Sequence, residues 1–181
     1  MKIEKLLNIM QDLRDPHKGC PWDRKQTMES IIPHSIEEVY EVAEQIYKKN
    51  YEKLKEELGD LLFQVVYLSQ LADEMNKFNF YDVVKSISSK MILRHPHVFK
   101  NKKFKNMKDF KLWWEKSKNK EINSILDNIP FTYPAYLEAN KIQKKVASVG
   151  FDYNNEIESI EKVYEELKEL KIEVKAKNKS K

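Results

Sequence analysis

The chain has 181 residues, 33 Lys+Arg against 29 Asp+Glu for a formal net charge of +4, three glycines and one cysteine. Such a length allows one domain with a real core, or one domain with an appendage. The two charge signs are interspersed, which excludes the basic stripe of a dedicated nucleic-acid binder. Cys20 alone excludes a disulfide scaffold and fits a reducing cytoplasm. The N-terminus carries Glu4 and Asp12 inside its apolar pattern, so it does not read as a signal peptide, and no apolar run reaches the roughly 18 residues of a membrane span.

Ile3, Leu6, Leu7, Met10 and Leu13 predict a first amphipathic helix, broken by "RDPHKGCPWD" with Pro16, Gly19 and Pro21. A second helix is expected around Ser35 to Lys49, with Ile36, Val39, Tyr40, Ala43, Ile46 and Tyr47 on one face. A third runs from Lys53 to about Glu74, and a fourth from Phe80 to Arg94, stopped by "HPH". "NKKFKNMKD" reads as a basic loop, Phe110 to Lys120 as a helix and "DNIPFTYP" as a linker. Tyr136 to Val149 is a further helix closed by Gly150. The last starts near Glu156 and frays into "KAKNKSK". No strand pattern competes, so the fold class is all-α, with short connections favouring antiparallel neighbours in a bundle.

The third helix poses the functional question. From Leu61 on it is apolar on nearly every face, which predicts burial. Yet Glu57, Asp60 and Gln64 lie at i, i+3 and i+7, a polar stripe along it. Buried carboxylates are costly unless paired or bound to metal. Upstream, Glu38 and Glu41 are also three apart and stack on one helix face. Two helices joined by a short turn run antiparallel, which can bring the two acid pairs together. Four facing carboxylates repel and cannot all stay ionised alone. A hard divalent cation resolves the conflict, and oxygen-only ligands suit Mg²⁺, with Mn²⁺ as a substitute.

Each pair also has a plainer reading. Ser35 with Glu38 has the S-x-x-E spacing of a capping box, and Glu37, Glu38 and Glu41 lie opposite the apolar stripe of their helix. Glu57 and Asp60 have less solvent face available to them. A diiron or dimanganese bundle would need Glu-x-x-His motifs, and none of His17, His34, His95 or His97 follows a glutamate by three. Lys90 and Arg94, at i and i+4, suit a phosphate but equally suit a helix C-terminus. Lys53 and Glu56 can reach a ligand or remain at the surface. Trp113 and Trp114 offer a stacking face, with one of the two expected in a core, and Trp22 is expected to anchor its loop in a core.

Together "GCPWDRKQTMESI", "EEVYEV", "EELGDLLFQVV", "DVVKSISSKMILRHPHVF", "WEKSKNKE" and "IPFTYPAYLEANKIQKKVASVGFDY" resemble the MazG-type nucleoside triphosphate pyrophosphohydrolases over roughly residues 1 to 153. The resemblance implies an all-α NTP pyrophosphatase fold, a homodimer, and Mg²⁺-dependent hydrolysis of a nucleoside triphosphate to monophosphate and pyrophosphate. It places metal ligands at Glu38, Glu41, Glu57 and Asp60, and substrate contacts at Lys53, Glu56, Lys90, Arg94 and Trp114. Glu37 and Glu41 are its candidates for deprotonating the attacking water. A catalytic unit over 1–130, a linker helix and turn over 131–153, and a truncated second unit over 154–181 follow from it. In that second unit Glu165, Glu166 and Glu169 echo E-E-x-x-E, with no E-x-x-D after them. The rival class is a non-catalytic helical dimerisation or interaction protein, and the rival within enzymes is a narrower pyrophosphatase. A cytoplasmic protein with neither membrane nor specific nucleic-acid partner is expected.

Overall fold

A computed structural model describes residues 3–118, 124–127, 129–153 and 155–175. Every regular element among them is a helix. The chain divides into two units, Met1–Lys105 and Asn106–Lys181.

The first unit begins with α1 (Ile3–Arg14), passes a 3₁₀ turn at Asp23–Lys25, and continues with α2 (Met28–Lys48), α3 (Tyr51–Glu74), α4 (Phe80–Arg94) and the single turn α5 (Pro96–Phe99). α2 starts seven residues before the expected Ser35. Its cap is Thr27, whose side chain and that of Ser30 satisfy each other's backbone N–H in a reciprocal box. Pro33 therefore lies inside the helix, and Ser35 is no cap: its Oγ donates back to the Ile31 carbonyl at 3.1 Å. The earlier start brings Met28 and Ile31 onto the core.

α2 ends in a Schellman turn. Lys49 takes a left-handed φ of 54°, with Asn50 N–H donating to Gln45 O and Lys49 N–H to Ile46 O. Asn50 then caps α3 by accepting from Lys53 N–H. So short a connection folds α3 back antiparallel on α2. The core joins Met10, Ile31, Val66, Tyr67 and Leu71, flanked by Leu6, Leu7, Met28, Phe63, Leu68 and Phe80.

α3 is buried mainly in its C-terminal half. Leu58 and Leu62, toward its start, are 49% and 41% exposed. The predicted apolar stripe of α2 is likewise turned outward, with Ile36, Val39, Tyr40, Ile46 and Tyr47 all exposed, because the Glu38–Val42–Gln45 face packs on α3 instead.

The "GCPWD" loop is not fastened by Trp22, which is 53% exposed and meets His34 edge-on at 5.9 Å. The anchor is the next residue. The carbonyl of buried Asp23 accepts hydrogen bonds from Arg14 and, at 2.9 Å, from the Tyr67 hydroxyl. Arg14 also grips Glu74 with two parallel bonds of 2.7 and 2.6 Å, tying α1 to the end of α3.

The second unit contains α6 (Met107–Lys118), α7 (Ala135–Ala147) and α8 (Glu156–Lys175). α7 closes as expected at Gly150, whose φ of 90° permits Phe151 N–H to reach Val146 O. On α8 the apolar side chains Ile157, Ile160, Val163, Tyr164, Leu167 and Leu170 are all more than half exposed. The expected fraying of "KAKNKSK" falls almost wholly outside the described residues.

Candidate active site on the α2–α3 pair

Antiparallel packing sets the two acid pairs face to face. Glu38, Glu41 and Glu57 each place one carboxylate oxygen within 4.8 Å of the other two. Glu38 and Glu57 are half-buried and Glu41 is exposed. Asp60 is exposed one turn along from Glu57 and stands outside that tight group, yet its charge acts on Glu38. Burial first, then the neighbouring charge of Asp60 and of Glu41, pushes the Glu38 carboxyl above the usual glutamate range. Gln64 opposes this by donating Nε2–H to Glu38 Oε1 at 3.4 Å. No lysine, arginine or histidine is among these contacts. A cluster that offers only carboxylate oxygens is suited to a hard divalent cation.

Glu37 points along the outer side of α2, 3.9 Å from His34 Nδ1 and beside an open groove shared with Pro33, Ile36, Tyr40, Glu41 and Glu44. Glu41 thus borders both the groove and the acid cluster. Lys53 and Glu56 are exposed on the first turns of α3. Glu44 is held below the usual range mainly by its hydrogen bond to Lys48, with a lesser contribution from Lys53. Lys90 is exposed and Arg94 half-buried on the last turns of α4, the first unit's other cationic end. Trp114 belongs to α6 in the second unit, where it is half-buried with its ring 5.7 Å from Phe110.

Two residues of this seam carry no charge and so escaped a search for acids. Gln64 was visible as the third member of the α3 stripe, but its bond to Glu38 was not. Gln45 lies at i+4 from Glu41 and i+7 from Glu38, so the same spacing rule marks it as inward-facing; it is 5% exposed.

Comparison with known proteins agrees with this arrangement. Residues 26–99, which include both acid pairs, match the MazG nucleotide pyrophosphohydrolase domain. The chain is 45% identical to the nucleoside triphosphate pyrophosphohydrolase of Escherichia coli K12, over 96% of this chain and 68% of that protein. It is 44% identical to the Thermotoga maritima nucleoside triphosphate pyrophosphohydrolase/pyrophosphatase MazG, over 93% of this chain and 66% of the relative. Its fold is similar to the crystal structure of a mazG-related protein from Thermotoga maritima, with a TM-score of 0.54 at 27% identity, covering 65% of this chain and 99% of that one. With two-thirds of a relative matched at such identity, and E-E-x-x-E set against E-x-x-D on facing helices, this chain belongs to the MazG nucleotide pyrophosphohydrolase family.

Proposed function

We propose that the chain hydrolyses nucleoside triphosphates to nucleoside monophosphate and pyrophosphate at a Mg²⁺ site on α2 and α3. The observation that carries this reading is the convergence of carboxylate oxygens of Glu38, Glu41 and Glu57 within 4.8 Å of one another, on facing helices. Glu38, Glu41, Glu57 and Asp60 would hold the metal, and Mn²⁺ would substitute for it. When bound, the metal supplies charge neutralisation at the triphosphate oxygens and a lowered pKa for a coordinated water.

The protein's own groups do the rest. Glu37 and Glu41, which border the open groove, would receive the proton of the attacking water. Lys90 and Arg94 offset charge developing on the leaving pyrophosphate. Lys53 and Glu56 would contact the phosphates, and the family resemblance alone assigns Trp114, on α6, to the base. Arg94→Ala should chiefly raise KM.

The catalytic unit is read as 1–130, with 131–153 as a linker helix and turn and 154–181 as part of a second unit. A homodimer accounts for the outward apolar stripe of α2 and the exposed Leu58 and Leu62 of α3. None of the described helices is long and apolar enough to cross a membrane. A cytoplasmic location fits the nucleotide substrate and the single cysteine.

The test is pyrophosphate release from a panel of NTPs and dNTPs, with and without Mg²⁺, for wild type and Asp60→Asn. Metal-dependent release that vanishes in the variant supports the reading and reports base preference. A folded wild-type protein that releases none would turn the assignment to a non-catalytic dimerisation protein.

A further inference from the structure

Besides its carboxylates, the α2–α3 seam buries two carboxamides. Gln64 and Gln45 are 9% and 5% exposed, and the Oε1 of each is buried with no hydrogen-bond donor among the described residues. A buried amide oxygen without a donor loses its hydration with nothing in return. A leucine would fill either position without that cost.

For Gln64 the surroundings say what the missing donor is. It lies at i+4 from Asp60 and i+7 from Glu57, so it leaves α3 on the acid stripe. Its Nε2–H donates to Glu38 Oε1 at 3.4 Å, and this bond fixes the sense of the amide. The opposite flip would set its oxygen against a carboxylate oxygen. Glu38, Glu41, Glu57 and Asp60 only accept hydrogen bonds when ionised, so none of them can supply a hydrogen to Gln64 Oε1. A ligand that fills the site can bring that donor. A divalent ion of the Mg²⁺ type keeps several of its waters, and those waters are donors.

We propose that Gln64 is a positioning residue of the cation site. Through Nε2 it holds Glu38 by one oxygen in a single orientation, and through Oε1 it accepts a hydrogen bond from the cation's hydration shell. The inference rests on reading the acid cluster as a metal site. It adds that a neutral amide, in contact with one ligand, helps set the affinity. Gln45 has no hydrogen bond to a carboxylate among the described contacts, which makes it the matched control on the same seam.

Mn²⁺ binding to the full chain, followed by electron paramagnetic resonance, separates the cases. Wild type should bind, Gln64→Leu should bind about 10-fold more weakly or worse, as expected for loss of a ligand's hydrogen-bond partner, and Gln45→Leu should match wild type. The metal-free melting midpoint of Gln64→Leu should hold or rise. The Mg²⁺ concentration for half-maximal pyrophosphate release should rise in parallel, with kcat recovering at saturating Mg²⁺. Where leucine does not fold, Gln64→Met gives the same comparison with a more adaptable side chain. Equal Mn²⁺ affinity in Gln64→Leu and wild type overturns the inference while leaving the metal site standing. Equal weakening by Gln64→Leu and Gln45→Leu also overturns it, as a packing effect. No Mn²⁺ binding by wild type overturns the metal reading and this inference with it.

Discussion

On α2, Glu38 and Glu41 meet Glu57 of the facing α3, with Asp60 one turn further along; on α8, Glu165, Glu166 and Glu169 repeat the E-E-x-x-E spacing, and among the described residues no E-x-x-D helix follows them. The acids behave in opposite ways. Glu38 is half-buried among like charges, which raise its pKa. Glu165 and Glu166 are exposed and share Lys162, at 2.8 and 3.3 Å, in ordinary i,i+3 and i,i+4 pairs. A shared spacing therefore does not define a site. What defines it is a facing surface that removes water, adds negative charge and offers no lysine.

The largest effect that can break this comparison is on turnover. Glu57→Ala or Glu41→Ala should lower pyrophosphate release by roughly three orders of magnitude, since the metal's contribution is several kcal/mol. Glu166→Ala and Glu169→Ala should leave it unchanged in the same assay. An equal loss from both helices would show that α8 belongs to the site.

Next is the clamp that holds the far end of α3. Arg14 has a side chain only 9% exposed, bonded both to Glu74 and to the Asp23 carbonyl. Its guanidinium is raised and the Glu74 carboxyl lowered, in each case chiefly by their mutual hydrogen bond. Arg14→Met should cost about 2 kcal/mol in urea unfolding, between the values for an exposed and a fully buried pair because Glu74 remains partly exposed.

A smaller effect sharpens the contrast through its sign. Glu38→Gln should raise metal-free stability by on the order of 0.5 kcal/mol, discounted for partial exposure, while abolishing the response to Mg²⁺. Glu166→Gln should leave stability almost unchanged, with any shift downward.

The pH dependence follows the same division. Folding raises the pKa of Glu38, so the folded state binds more protons than the unfolded state just above the ordinary value of 4.5. That contribution is fully present below 4.5 and is lost as pH rises through the raised value. Glu74 is the reverse: its stabilisation is present above 4.5 and is lost as pH falls through its lowered value. Thermal melts of metal-free protein should decline on the alkaline side of 4.5, and Mg²⁺ should flatten that limb without altering the acid one.

Much of this was legible in the residues. α4 is expected from Phe80 to Arg94 with the "HPH" run as its stop, and the structure has those bounds and adds Asn79 as its cap. The acid spacings put Glu38, Glu41 and Glu57 on facing helices, where the structure brings them together. The start of α2 was missed because Ser35 and Glu38 imitate a capping box, while the real one, Thr27 with Ser30, lies before a proline that the helix accommodates. The inward face of α2 was also misjudged. Apolar periodicity favoured the Ile36–Val39–Tyr40 side, but the demands of facing α3 turned Glu38 and Gln45 inward. Trp22 misled in the same way, since bulk suggested an anchor where a backbone carbonyl does the anchoring.

The tight turn at Lys49 and Asn50 has a consequence for the order of folding. Glu38 and Gln64 are 26 residues apart, whereas Arg14 and Glu74 are 60 apart. Closing the shorter loop costs less entropy, so the α2–α3 hairpin docks early and the Arg14 clamp late. The carboxylates therefore meet while the rest of the unit is still unformed. If the proposed cation relieves their repulsion, it should speed refolding, while loss of the clamp, as in Arg14→Met, should chiefly speed unfolding in stopped-flow measurements.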